Sequence, residues 1–137
     1  MIPVDQTVFE DGRGDCLRAC VASILEADIL DVPNFSQDGQ FILGAIAWLN
    51  SRGLHVLRID WTGEGYCHEQ YLSYPEGYCI MSGKSPRSTV EKRKGHAVVG
   101  RASGWGFKIE HDPHPSRAGL IGEPESVLWI FRPLEIA

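Results

Sequence analysis

No apolar run in the 137-residue chain approaches the ~20 residues that a membrane-spanning helix needs. Its start, Met-Ile-Pro-Val-Asp-Gln, has neither the basic stretch nor the apolar centre of a secretory signal. A cytoplasmic protein with no membrane partner is expected. Positive charge is also in deficit: 13 Lys and Arg against 18 Asp and Glu leave a formal net charge of −5. Gripping nucleic acid by bulk electrostatics requires clustered cations, and the one cluster here, Lys92-Arg93-Lys94, follows Glu91 and reads as a solvated loop. Nucleic acid is therefore not an expected partner. Cysteine is sparse, with Cys16, Cys20, Cys67 and Cys79 and no Cys-x-x-Cys pair, so no structural zinc is expected, and a reducing cytosol keeps the thiols free. Gly83-Lys84-Ser85 ends like a phosphate-binding loop. Tyr78 stands where the first glycine is required, and Pro86 blocks the helix that must follow, which excludes a nucleotide loop. Repeats and low-complexity segments are absent. At 43% hydrophobic residues, the chain reads as a single domain spanning 1–137.

What is present is patterned. Leu17, Cys20, Val21, Ile24 and Leu25 recur at the spacing of one helical face, which predicts a helix from about Asp15 to Glu26 with Asp15 as N-cap and Pro33 beyond its end. A second helix is predicted from about Gln37 to Ser51, capped by Ser36 and stopped by Gly53. Strands follow at Leu54–Trp61 and Gly77–Ser82, then a hairpin of His96–Arg101 and Trp105–His111 turning at Ser103-Gly104. A last strand, Val127–Phe131, is bounded by Pro124 and Pro133, while Thr62 to Tyr74 reads as a loop or a short irregular helix. Helices first and strands afterwards predict an α+β domain, its N-terminal helices packed on one side of an antiparallel sheet.

Cys16 heads the first helix just off its apolar stripe, where the positive end of the helix dipole favours thiolate. Such a cysteine becomes an acyl-transfer nucleophile when an imidazole takes its proton and a third group orients that imidazole. His96 opens one strand of the hairpin and Asp112 closes the other, and the turn position places them nearly opposite at the ribbon's open end. Taken singly, each has a plainer reading: Cys16 as a small buried hydrophobe, His96 as a strand-edge histidine, Asp112 as a turn former before Pro113. Cys20 belongs to the apolar stripe and reads as core, as do the four tryptophans. Gly83 to Arg87 is a plain surface loop or a substrate-lining one. His114 and Arg117 sit on a proline-stiffened rim where Arg117 either binds a substrate anion or stays exposed.

Gln6, then Gly14-Asp15-Cys16, then Gly95-His96-Ala97-Val98-Val99, a hairpin and Asp112-Pro113 occur in an order that resembles the papain-like cysteine peptidase superfamily, in particular its small bacterial and phage branch. The resemblance implies a papain-like fold with Cys16 as nucleophile, His96 as general base and then acid, Asp112 as orienting group and Gln6 as oxyanion donor. Two departures stand out. Gln6 precedes Cys16 by ten residues, farther than the family pattern, and reaches the site only if Glu10 to Gly14 loops out; Leu17 replaces the family's glycine. The expected function is a cysteine-dependent hydrolase or acyl transferase acting on an amide, isopeptide or thioester bond of a peptide, protein or small amide, with neither metal nor organic cofactor. The alternative is a catalytically silent papain-like domain that binds a protein or peptide partner.

Overall fold

The computed structural model describes residues 1–10, 12–36, 41–60, 75–103 and 106–134. Two helices, α1 (Cys16–Leu25) and α2 (Phe41–Ser51), precede five strands: β1 (His55–Asp60), β2 (Gly77–Lys84), β3 (Gly95–Ser103), β4 (Gly106–His111) and β5 (Ile121–Phe131). All strand pairs are antiparallel, in the order β1-β5-β2-β3-β4, which gives the expected α+β architecture. The last strand in the chain thus lies inside the sheet, between β1 and β2.

Side chains alternate across a strand, so the sheet sorts its apolar residues into two layers. Ile80, Ala97, Val99 and Leu128 join Leu17, Cys20 and Val21 of α1 and Ala45 and Leu49 of α2 in one buried cluster. Each fully buried large aliphatic side chain there contributes about 1.5–3 kcal/mol relative to exposure. Cys79, Met81, Val98, Val127 and Trp129 form a second cluster with Ile59, Phe107 and Leu120 on the opposite face. Cys20 is completely buried in the first layer, as its place on the stripe predicts. Trp129 is buried and its indole N–H donates to Pro75 O at 3.0 Å, while Trp48 packs edge-on to Phe35. The expected start of α2 at Gln37, the ambiguous Thr62 to Tyr74, Cys67, His68, Trp61 and Trp105 lie outside the described residues.

α1 stops at Leu25, at its expected end, because Glu26 turns left-handed (φ 56°) and its N–H returns to Ala22 O and Ser23 O. Two other local expectations are corrected. β5 begins at Ile121 and runs through Pro124, so this proline does not bound it. Opposite β2, Ser82 pairs with Ser126 and Lys84 with Ile121, so Pro124 falls in an outward arc where no ladder N–H is required of it. Asp15, finally, holds the N-cap position without capping: its side chain makes no bond to the helix amides. Among the described residues no helix is long and apolar enough to cross a membrane.

Candidate active site

The carboxylate of Asp15 is turned away from the helix and towards the chain before it. Its oxygens accept from Thr7 N at 2.8 Å, Val8 N at 2.9 Å and Thr7 Oγ1 at 2.7 Å, while Asp15 N donates to Val8 O at 3.3 Å. These bonds close residues 8–15 into a loop, tightened by Arg13 N on Glu10 O and by Gly12 at φ 72°. This is the looping that Gln6 requires. With Asp15 occupied there and no acidic side chain in the first turn, the amide dipoles that converge on Cys16 are not neutralised from within the helix.

Across from the helix start, His96 Nε2 and Asp112 Oδ1 are 2.7 Å apart, both side chains almost fully buried. The hairpin register that brings them together differs from a simple ribbon. Ser103 to Gly100 pair regularly with Gly106 to Ile109, but Val99 then pairs with His111, which leaves Glu110 as an extra residue. Continued without this bulge, the ladder would set Asp112 level with Ala97, on the opposite parity to His96. With the bulge, Asp112 falls level with Val98, one alternation from His96, and the two side chains meet diagonally.

Asp112 Oδ1 also accepts His114 N–H at 2.9 Å, and Oδ2 accepts Gly119 N–H at 2.7 Å. Burial alone would raise this carboxyl's pKa; the bonds from His96, His114 and Gly119 outweigh it and hold the value at about 2. Burial likewise works against a charged His96. The hydrogen bond with Asp112, together with the neighbouring Cys16 thiol, reverses that and lifts its pKa to about 9. With Nε2 given to Asp112, Nδ1 is the ring nitrogen left for sulfur. The buried thiols behave differently: burial pushes Cys79 up to about 12 and Cys20 well up, Cys20 also by the neighbouring Cys16.

Cys16 is half-buried and lines a cavity of about 540 Å³ together with His96, Gln6, Phe9, Phe41 and Ser85. Gln6 is therefore brought to the site. Its backbone N–H donates to Pro113 O at 3.0 Å and its side-chain Nε2 donates to Val8 O at 3.0 Å, which leaves the second Nε2 hydrogen uncommitted and Oε1 buried without a partner. A larger cavity of about 680 Å³ lies by Leu25, Trp48, Arg52 and Arg132, and neither cysteine nor histidine lines it. No family model, curated protein or solved structure matches the chain. The chemistry is therefore read from the site's own geometry.

Arg117 is exposed, the plainer of its two expected readings. Its guanidinium forks onto Asp5, with Nη1–Oδ1 at 2.6 Å and Nη2–Oδ2 at 2.9 Å, and Nη1 also donates to Asp112 O at 2.5 Å. That fork holds the Asp5 carboxyl below its ordinary range and braces the N-terminal segment against the loop after β4. Among the described residues no group of three or more His, Cys, Asp or Glu side chains converges to hold a metal. Phe9 and Phe41 line the cavity yet carry no signal in the sequence, whereas Arg87 lines it from the Gly83 to Arg87 turn, read in the sequence as a surface or a substrate-lining loop.

Proposed function

We propose that the protein is a papain-like cysteine hydrolase or acyl transferase, acting in the cytoplasm on an amide, isopeptide or thioester bond of a peptide, protein or small amide. The observation that carries this reading is the buried 2.7 Å His96–Asp112 contact on the wall of the cavity that Cys16, at a helix start, also lines. Asp112 keeps the ring oriented and favours its protonated form, so His96 takes the proton of the Cys16 thiol and holds it as imidazolium while the sulfur attacks. The thiolate attacks the carbonyl carbon, and the oxyanion that forms is met by the Cys16 main-chain N–H and by the second hydrogen of Gln6 Nε2. His96 gives its proton to the leaving group, and an acyl-enzyme remains on Sγ. Water, or an amine in a transferase, then loses a proton to His96 and releases the acyl group.

Iodoacetamide at pH 7 provides the test. Cys16 is expected to be alkylated about tenfold faster than an unactivated thiol. Labelling disappears in Cys16→Ala and slows about tenfold in His96→Ala. Uniformly slow labelling of all thiols would instead select the silent peptide-binding domain, a reading favoured by the bond of Gln6 Nε2 to Val8 O and by Leu17 in place of glycine.

A further inference from the structure

Two side chains on one wall of the Cys16 cavity are held ready with no carboxylate ion-paired to them among the described residues. His114 Nδ1 accepts the Ser116 N–H at 3.0 Å, which places the ring proton on Nε2 and makes that N–H a fixed donor. The ring stands edge-on to His96, with 6.2 Å between centroids, and to Phe9, at 5.4 Å. Burial, the charge of Arg87 and that of His96 keep His114 below its ordinary pKa, although Asp112 pulls the other way, so it is neutral at pH 7. Arg87 is half-buried, and its Nη1 donates to Ser116 Oγ at 3.2 Å, a neutral acceptor. Among the described residues no carboxylate forms an ion pair with Arg87, whereas Arg93 on the same cavity is matched by Glu125. Glu10, the one carboxylate on the cavity among the described residues, faces Arg13 at 3.9 Å. A partly desolvated guanidinium is costly without a counter-ion and stabilises strongly the anion that fits it.

We infer that Arg87 and His114 form a carboxylate subsite, so that the substrate carries a carboxylate close to the bond attacked by Cys16. The inference rests on Cys16 being the nucleophile. Ser116 takes one of the five guanidinium N–H groups, and the rest include a pair able to hold a planar carboxylate, with the His114 Nε2–H as a further donor. One positive charge meets one negative charge. Ser116 sets both partners, since its hydroxyl accepts from Arg87 and its backbone N–H fixes the imidazole.

The test compares alkylation of Cys16 by iodoacetate and by iodoacetamide, each rate divided by that of N-acetylcysteine. The native protein should prefer the anionic reagent about tenfold, and Arg87→Gln should lower that ratio about fivefold while Arg87→Lys lowers it less. Arg52→Gln, at the distant cavity, should leave the ratio unchanged. On the native protein, succinate should slow iodoacetamide labelling saturably and succinamide should not. Protection by N-acetylglycine points to a terminal carboxylate, and protection by N-acetyl-aspartic α-amide to a side-chain one; either supports the subsite. Equal effects of succinate and succinamide, or a ratio untouched in Arg87→Gln, overturn it. If Arg87→Gln fails to fold, the competition on the native protein decides alone. Slow iodoacetamide labelling of the native protein removes the nucleophile reading itself, whereas fast labelling without charge preference removes only the subsite.

Discussion

Asp112 accepts from an imidazole and two backbone amides, so its charge is satisfied on both oxygens while it stays buried. Removing it strands a protonated ring in a dry setting. Asp112→Ala should cost about 3 kcal/mol in urea unfolding, in the range for breaking a buried pair. The pair also fixes a pH window. His96 is raised from 6.5 to about 9, so its contribution is complete below pH 6.5 and is lost as pH climbs through about 9. Asp112 is lowered from 3.8 to about 2, so its contribution is complete above pH 3.8 and is lost as pH falls through about 2. The urea midpoint should therefore fall between pH 6 and pH 9.5, and Asp112→Asn should flatten that fall; equal slopes in both proteins would refute the coupling.

The loop that Asp15 closes is the device that delivers Gln6 to the start of α1. If Asp15 acted as a cap, Asp15→Ser would be nearly neutral, because serine caps as well as aspartate. The structure gives it three acceptor bonds to Thr7 and Val8 instead, so Asp15→Ser should cost about 3 kcal/mol, close to Asp15→Ala. A midpoint for the serine variant within error of native would reject the clamp. This element also shows where sequence reading runs out. An aspartate before an apolar helical stripe carries the same local signature whether it bonds forward into the helix or backward to the chain, and its partners Thr7 and Val8 sit in a stretch without periodicity. The helices and the strands were legible because period is local, and the hairpin spacing set His96 beside Asp112; Cys16, distant in sequence, was joined to them by the order of motifs and not by spacing. The bulge at Glu110 was not legible, since nothing in Phe107-Lys-Ile-Glu-His111 marks which residue is extra.

For the molecule as a whole, stability resides in the sheet's interior strands. Leu128, 2% exposed on the helix-facing layer of β5, should cost about 2–5 kcal/mol when replaced by alanine. Ile109, 41% exposed on the edge strand β4, should cost less than about 1 kcal/mol in the same substitution. Similar losses at both positions, measured by denaturant unfolding, would contradict this layout. The α+β class was readable from helices preceding strands, but the strand order was not, because hydrophobic alternation says which face a residue takes and is silent on which neighbour it meets. That order carries a consequence for biosynthesis. With β5 seated between β1 and β2, a chain emerging from the ribosome at about 5–20 residues per second can form α1, α2 and the β3–β4 ribbon early, but holds an open slot in its sheet until residues 121–131 arrive. Until then β1 has no strand partner among the described residues, and its edge stays open.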